Sequence, residues 1–319
     1  PPPEPPPTPQ TPTPTTTTTP RRGTALLVLV LGVLSAIGPL ATDLYLPALP
    51  QISADLGTSE SRVKFTLTTI MIGMALGQLV IGPLSDRWGR RVPLLVGIGV
   101  FTVSTSAIAL ATSVEAFTVL RFVQGLSAAA GLVISRAVVR DVFSGDAAAT
   151  FFSRLVLLSG LAPMLGPVLG GQLLLLGPWP ILFVVLGVAG ALSFVLVWVV
   201  LPWSLAPERR ERVRLTQQLR LFGGLLRDAR FIGPTLTLSL NFAMSFTYIS
   251  TFSFVSQSQF DATAQQFSLV FAVTTLGMII GNQVNAALVG RVEIHRRLFL
   301  GLAGSLGTVL ALVALDVSG

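Results

Sequence analysis

The sequence contains no cysteine, and His295 is its only histidine. Disulfide bonds and thiolate metal sites are therefore excluded, and a histidine-based metal site is not expected. Charged residues make up 11% of the chain, whereas a soluble domain carries about a quarter. The sequence also lacks a GxxxxGK phosphate loop and any cluster of His, Cys or paired acids suited to catalysis. We therefore expect neither an enzyme nor a protein that ATP drives directly.

Apolar residues dominate what is present. They form 51% of the chain, and the mean hydropathy is +0.76. Apolar runs of roughly 20 residues recur, each long enough to cross about 30 Å of hydrocarbon. This pattern predicts an all-α membrane protein with many spans. We place nine spans, at 24–46, 64–83, 92–112, 116–137, 150–174, 179–201, 231–254, 266–289 and 297–316.

The basic residues are distributed unevenly between the two ends of these spans. Of 21 Lys and Arg residues, 18 lie on the side that holds Arg21, and only Arg62 and Lys64 lie on the opposite side. Cytoplasmic loops carry the excess of positive charge in membrane proteins. The sequence therefore predicts a multi-pass protein of the cell inner membrane with its N-terminus in the cytoplasm. Because the charge lies in short loops, the net charge of +7 does not indicate nucleic-acid binding.

The chain divides into four segments. Residues 1–20 are rich in Pro and Thr and predict a disordered cytoplasmic tail. Residues 21–201 predict an N-terminal six-helix half, and 231–319 predict part of a C-terminal half with spans seven to nine. The basic linker 202–230 has apolar residues at helical spacing, and we expect its 208–230 part to lie on the anionic inner leaflet. A solvated linker is the alternative.

Four short motifs occur at intervals along the spans. Gly82–Arg91 has the form G-x-L-x-D-R-x-G-R-R between spans two and three, and Arg121–Gly125 has the form R-x-x-Q-G in span four. Gly160–Gly171, in span five, alternates Gly and Pro with apolar residues, and Asp43–Pro50 closes span one. In this order the motifs resemble the major facilitator superfamily and its drug/proton antiporter branch. The similarity is greatest to the bicyclomycin/chloramphenicol resistance (Bcr/CflA) multidrug efflux subfamily.

That resemblance implies a fold of two six-helix halves, of which these spans would supply the first half and part of the second, as if truncated after about nine spans. It implies proton-coupled efflux, by antiport, of small lipophilic drugs or related compounds. The energy source would be the proton gradient, with no cofactor and no metal, and we expect a monomer. Two alternatives stay open: a major facilitator that exports or imports a metabolite such as an amino acid, peptide or sugar, and a non-transporting membrane fragment.

Asp43 and Arg121 are the sharpest candidates for proton coupling and substrate binding, because an ionisable group within hydrocarbon is costly and marks function. They lie at similar depths in spans one and four. Burial favours a protonated carboxyl, whereas a nearby guanidinium favours the carboxylate. A change in their proximity would therefore make Asp43 bind or release a proton. Asp43 capping a helix end in interfacial water is the alternative, and Gln124 binds either substrate or a neighbouring helix.

A conformational latch is predicted at the first motif. The carboxylate of Asp86 suits the N-terminus of a facing helix in the other half, and Arg87 and Arg90 suit pairing with Asp141 at the inner end of span four. These contacts would form when the cytoplasmic side is closed and break when it opens. The glycines at the two ends of the motif, Gly82 and Gly89, would let the chain turn sharply between spans two and three.

Two further sets of residues are candidates for packing and substrate contact. Close helix packing of the small-xxx-small type, with a kink, is predicted for the third motif. An aromatic, lightly polar cavity would suit lipophilic molecules. The packing set is Gly160, Pro163, Gly166, Pro167, Gly170 and Gly171, and the possible cavity lining is Tyr45, Asn241, Tyr248 and Asn282.

Overall fold

The structure, a computed structural model, describes residues 22–201 and 222–318. The predicted tail and most of the predicted linker lie outside these residues. Every regular element in the described ranges is helical, as the apolar runs predict. The long helices are α1 (Arg22–Asp43), α3 (Glu60–Trp88), α4 (Arg91–Ile108), α5 (Val114–Val142), α6 (Gly145–Leu173), α7 (Pro180–Val200), α8 (Ala229–Phe254), α9 (Ala264–Leu288) and α10 (Ile294–Ser318), and α2 (Leu49–Asp55) is a short helix after α1.

Eight helical segments of the described chain are long and apolar enough to cross a membrane. They coincide with the first eight predicted spans, and α1 and α2 together form the first of them, Leu29–Asp55. The ninth predicted span falls on α10, where several side chains near the C-terminal end lie outside the description.

The polar connection between the second and third spans is shorter than the sequence predicts. We expected span two to end at residue 83, but α3 continues to Trp88, so that only Gly89 and Arg90 separate it from α4. Pro83 lies within the helix, because the interior of a helix bundle can satisfy the backbone groups that a proline frees. Gly89 turns the chain with a φ of 87°, a conformation that favours glycine. Gly82 remains helical and makes no turn.

The first span, predicted to run to residue 46, ends in an irregular segment. Helix α1 stops at Asp43, and a 3₁₀ turn at Leu46–Ala48 leads into α2. Pro47 and Pro50 cause this break, because a proline has no N–H to continue the α-helical hydrogen bonds. We call Asp43–Pro47 the α1 exit.

Small residues let the helices of 22–201 approach each other closely. A Cβ on Gly73 or Gly77 of α3 would collide with the backbone of α5 at Phe122 and Leu126, and a Cβ on Gly125 of α5 would collide with Ile70 of α3. Because lipid tails are as apolar as Leu, such van der Waals contact is a main source of helix association in membranes. The α3–α5 pair therefore forms a rigid frame, and α1, α4, α6 and α7 complete the bundle.

Helices α8 and α9 touch this bundle mainly at one end. Every hydrogen bond found between 22–201 and 222–318 lies where α1, α6 and α8 finish and α3 and α9 begin. We call this the Asp43 end and the opposite one the Arg90 end. The side chains of α8 between 235 and 244 are mostly exposed. The two groups of helices thus meet at the Asp43 end and leave α8 largely uncovered elsewhere.

Candidate functional site

Arg121 is fully buried in the middle of the bundle. Its Nη1 donates to the carbonyl oxygen of Ala41, in the last turn of α1, at 2.9 Å and to Oε1 of Gln124 at 2.7 Å. Within the described residues, Nε and Nη2 of Arg121 have no hydrogen-bond partner. A buried cation with unused donors is costly to keep, so the guanidinium has capacity to bind an anionic group that approaches it.

The ring of Tyr45 supports the guanidinium of Arg121 from one side. The Cζ atom of Arg121 lies 4.0 Å from the ring centroid, a cation–π contact worth about 2 kcal/mol when it is desolvated. The Tyr45 hydroxyl bonds to Oγ1 of Thr66 at 2.9 Å, and because that threonine donates to the carbonyl of Val63, the tyrosine is the donor. The rings of Phe117 and Phe183 pack against Tyr45.

This environment corrects one prediction. Tyr45 was expected as a possible lining residue of an aromatic cavity, but only 1% of its surface is exposed. Its ring packs inside the bundle, and its hydroxyl is used by Thr66. Tyr45 therefore acts on Arg121 and not on a molecule in an open cleft.

Gln124 connects Arg121 to a third helix. Its Oε1 accepts from Arg121, and its Nε2 donates to Oγ1 of Thr105 on α4 at 2.8 Å. Gln124 is fully buried. Of the two roles that the sequence left open, this geometry is that of a bond to neighbouring helices. Because one amide group satisfies both partners, the position of Arg121 depends on α4 as well as on α1.

Asp43 is the last residue of α1, and it is 7% exposed. Among the described residues its carboxyl forms no hydrogen bond and no ion pair within 4 Å, although the charge of Arg121 acts on it. The two residues that the sequence placed at similar depth are therefore neighbours, but Arg121 bonds to Ala41 and Gln124 instead of Asp43. An ion pair between the two side chains would favour a deprotonated carboxyl.

The glycines of α6 form the wall behind Asp43. A Cβ on Gly166 would lie 2.9 Å from the Cβ of Asp43, and a Cβ on Gly170 would overlap the carbonyl of Leu44. Gly160 differs from the predicted packing, because a Cβ there would meet no atom of the described residues within 4 Å. Pro163 and Pro167 lie inside α6. The packing stripe thus begins near Gly166 and runs toward the Asp43 end.

Gly171, at the end of this packing stripe, lies against α9. A Cβ on Gly171 would lie 3.1 Å from the Cβ of Ser268, so the absence of a side chain at residue 171 lets the two helices come close. The hydroxyl of Ser268 donates to the carbonyl of Pro167 at 2.7 Å, and Nε2 of Gln265 donates to the carbonyl of Gly171 at 2.9 Å. The α6–α9 contact is therefore sealed by side-chain donors of α9 and backbone carbonyls of α6.

A second seal of the same kind joins α8 to the α1 exit. The Ser253 hydroxyl donates to the carbonyl of Leu46 at 2.5 Å, and Nε2 of Gln257 donates to the carbonyl of Pro47 at 3.1 Å. Nearby, the ammonium of Lys64 lies 4.7 Å from the ring centroid of Phe254. Nothing in the sequence marks Ser253 and Gln257 as contact residues, because a Ser or Gln near a helix end has many ordinary uses.

At the Arg90 end, the predicted latch centres on one arginine. Nε of Arg90 donates to Oδ2 of Asp141 at 2.9 Å, and Nη1 donates to Ser85 and to Asp86. Burial alone would lower the pKa of Arg90, but its hydrogen bonds to Asp141 and Asp86 and their charges raise it. The guanidinium is thus held charged while it ties the start of α4 to the ends of α3 and α5.

The other members of the predicted latch have different surroundings. Arg87 is exposed and takes no part in the ion pairs found among the described residues, so Asp141 pairs with Arg90 alone. Asp86 bonds to Arg90 within the same polar cluster instead of a facing helix N-terminus. The helix that we expected to face Asp86 has no counterpart in the described residues.

The remaining cavity candidates lie apart from Arg121. Asn241 and Tyr248 on α8 and Asn282 on α9 are exposed, and the ring of Tyr248 stacks on Phe252 of its own helix. The structure does not bring these three residues together with Tyr45. Within the described residues, no group of three or more His, Cys, Asp or Glu side chains could hold a metal ion.

Comparison with known proteins agrees with the resemblance seen in the sequence. The model of the Major Facilitator Superfamily matches residues 28–319. The chain is 39% identical over 281 residues to the uncharacterized MFS-type transporter YdgK of Bacillus subtilis, covering 87% of this chain and 69% of that protein. It is 33% identical over 283 residues to a bicyclomycin resistance protein homolog of Haemophilus influenzae, covering 89% of this chain and 71% of that protein.

Solved structures confirm the predicted fold. A bacterial homolog of the human lysosomal transporter Spinster, in an inward-facing and occupied conformation, matches with a TM-score of 0.70 at 14% identity. The match covers 86% of this chain and 64% of that one. The all-α architecture and its helix order are thus those of a known multi-span family.

Proposed function

Because the chain belongs to the Major Facilitator Superfamily, a family of cofactor-free transporters and not of enzymes, we propose that its protein exports small lipophilic drugs or related compounds in exchange for protons. The observation that carries the proposal is the buried pair of Asp43 and Arg121. Among the described residues, the fully buried Arg121 has unused N–H donors, and Asp43, the last residue of α1, forms no hydrogen bond. Such a pair can exist in two charge states inside a membrane protein.

The two states differ in the partner of Arg121. A deprotonated Asp43 gains an ion pair when its carboxylate reaches the unused Nε or Nη2, and a protonated Asp43 gains little from that contact. Movement of α1 relative to α5 would therefore change the proton affinity of Asp43. Binding of substrate that favours one arrangement would, by linkage, favour one protonation state. This is how a proton gradient would drive export.

The relatives favour a drug as substrate. The bicyclomycin resistance protein homolog matches 89% of this chain, and the superfamily motifs extend from Asp43 to Gly171. The positive-charge asymmetry of the loops supports a cytoplasmic N-terminus. In that orientation the Asp43 end, where the two groups of described helices meet, faces away from the cytoplasm.

The proposal is tested with the full-length protein in a bacterial host that lacks its main efflux pumps. We expect the unmodified protein to lower the accumulation of bicyclomycin or chloramphenicol, and an uncoupler to abolish the effect. Asp43→Asn removes the titratable carboxyl and is expected to abolish proton-driven efflux while the protein still reaches the membrane. Asp55→Asn is the matched control, because Asp55 is exposed and its bond from Trp179 survives with an amide oxygen.

Two results would contradict the proposal. Efflux by Asp43→Asn equal to that of the unmodified protein would remove Asp43 as the proton site. Absence of drug efflux together with uptake or export of a labelled amino acid, peptide or sugar would identify a metabolite transporter instead.

A further inference from the structure

The α1 exit brings three functions together in five residues. Asp43 is the proposed proton site, the ring of Tyr45 holds Arg121, and the carbonyls of Leu46 and Pro47 hold α8. We propose that this segment couples closure of the Asp43 end to the position of Arg121, with Tyr45 as the positioning residue. The inference rests on the proposed function and names the residues that connect its proton site to its seal.

Arg121 is clamped by residues on both sides of Asp43. Ala41 supplies a carbonyl to Nη1, and Tyr45 supplies a ring face to Cζ. These two contacts come from positions two before and two after Asp43 in the sequence. We call the contacts of Ala41 and Tyr45 with Arg121 the clamp. A displacement of the end of α1 therefore moves the proton site and the clamp together.

Tyr45 transmits the displacement because its ring cannot move alone. Its hydroxyl is bonded to Thr66 on α3, and its ring packs against Phe117 on α5 and Phe183 on α7. A stacked position over Arg121 is thus available only while the backbone of the α1 exit stays in its present place. When that backbone shifts, the cation–π contact weakens and the guanidinium is free to turn toward Asp43.

The α1 exit is in turn held by α8. The carbonyl oxygen of Leu46 accepts from the N–H of Leu49. Pro50, four residues after Leu46, has no N–H to bond to the same oxygen, so the second acceptor position of that oxygen is open to the hydroxyl of Ser253. Ser253 is fully buried, and Nε2 of Gln257 bonds both to its hydroxyl and to the carbonyl of Pro47.

The two donors of α8 stand on either side of a local change in helix type. Helix α8 passes into a π-helical turn at Val255–Gln259, a form of helix that is frequent at functional sites. Gln257 lies within this turn and Ser253 just before it. Opening of the Asp43 end requires these bonds to break, which would release the exit.

The charged groups around Asp43 are few, so its titration reports on this clamp. Arg121 on α5 is the group whose charge acts on Asp43. Arg154 on α6 is in the far half of that helix, and the described residues of α7 contain no ionisable side chain. Lys64 of α3 is engaged by Glu60 and Phe254.

The test measures the pH at half-maximal substrate-induced proton release, with purified full-length protein and bicyclomycin or chloramphenicol as the substrate probe. Ser253→Ala with Gln257→Leu removes the bonds to the exit, and Tyr45→Leu removes the ring. Both changes free Arg121 to approach Asp43, so we expect each to move the half-maximal pH downward by about half a unit or more, where one unit corresponds to about 1.4 kcal/mol. Both changes act through the contacts that hold Arg121. The variant that combines Tyr45→Leu with Ser253→Ala and Gln257→Leu is therefore expected to shift the half-maximal pH by less than the sum of the two separate shifts.

Two more conservative variants keep the test decisive if the larger substitutions prevent folding. Tyr45→Phe keeps the ring and is expected to stay near the wild-type midpoint. Ser253→Ala alone removes one donor at little change in volume and is expected to shift the midpoint in the same direction as the double variant. The matched control is Ser250→Ala, because within the described part of the chain the Ser250 hydroxyl bonds only to its own helix, to the carbonyl of Thr247.

The possible results separate the inference from the function on which it rests. A wild-type protein that transports substrate without releasing protons overturns the proposed function and this inference with it. A proton-coupled wild type whose midpoint is unchanged by the α8 variants, or whose shifts add fully with that of Tyr45→Leu, overturns the inference alone. In that case Ser253 and Gln257 only hold the helices together.

Discussion

Gly170 lies against the carbonyl oxygen of Leu44, where α6 crosses the end of α1, and a Cβ on Gly170 would overlap that oxygen. The obstacle is backbone and not a flexible side chain, so it cannot turn aside. The position of the α1 exit therefore depends on the absence of a side chain at residue 170.

Substitution of this glycine is expected to disturb the exit. Gly170→Ala forces α6 away from α1, and overpacking of this kind costs about 1–3 kcal/mol. We expect a lower midpoint of thermal unfolding for the purified full-length protein and weaker efflux in cells.

Gly160 provides the control on the same helix. A Cβ there meets open space, and alanine in a helix interior is favoured over glycine by roughly 0.5–1 kcal/mol. Gly160→Ala should therefore leave thermal stability unchanged or slightly higher. Equal losses for the two variants would show that the close approach at Gly170 is not what matters.

Arg90 is expected to be the sensitive member of the cluster at the Arg90 end. It is 8% exposed and bonds to Asp141 through Nε and to Asp86 and Ser85 through Nη1. Lysine has one ammonium group and cannot reproduce this fork of donors. Arg90→Lys is expected to destabilise the protein by about 1–3 kcal/mol, as expected when partners of buried charged hydrogen bonds are lost, measured as a fall in the unfolding midpoint.

Arg87→Lys serves as the comparison, since Arg87 is exposed and takes part in none of the described ion pairs. We expect little change in stability there, and a double-mutant cycle between Arg90→Lys and Asp141→Asn should show coupling. A larger effect at Arg87 than at Arg90 would contradict this assignment of the latch.

A disulfide between α6 and α9 is expected to lock the Asp43 end. A Cβ on Gly171 would lie 3.1 Å from the Cβ of Ser268, slightly less than the about 3.5–4.5 Å of a disulfide, so a small adjustment suffices. The chain has no cysteine, so Gly171→Cys with Ser268→Cys creates its only thiol pair. Oxidation should stop transport, and a reducing agent should restore it.

Each single cysteine variant controls for the substitutions themselves. Transport that continues at the same rate in the fully cross-linked protein would show that the α6–α9 contact does not open during the cycle. Gel mobility before and after reduction measures the extent of cross-linking.

Much of the fold followed from the sequence. Apolar runs of span length predicted the helices, because hydrocarbon thickness fixes how many residues must be apolar. The boundary at residue 83 was wrong, since Gly82 and Pro83 are helix breakers in water but can stay helical inside a bundle. The helix end at Asp43 was expected only as an alternative, although Pro47 and Pro50 were its local signal.

The site was only partly predictable. The presence of Asp43 and Arg121 within apolar spans was enough to select them, because charges in hydrocarbon are rare and costly. The partners Thr66, Thr105 and Ser253 carry no such signal, because hydroxyl side chains are common in membrane helices and usually bond to their own backbone.

The sequence by itself determined that this is a multi-span membrane protein, because composition and the length of the apolar runs depend on local chemistry alone, and its motifs resemble those of the Major Facilitator Superfamily. Only the tertiary structure decided that Tyr45 lies on Arg121 and that Ser253 and Gln257 bond to the α1 exit. Those contacts join residues tens to hundreds of positions apart, and they depend on how closely glycines allow the helices to approach. Which residues surround the proton site is therefore a property of helix packing.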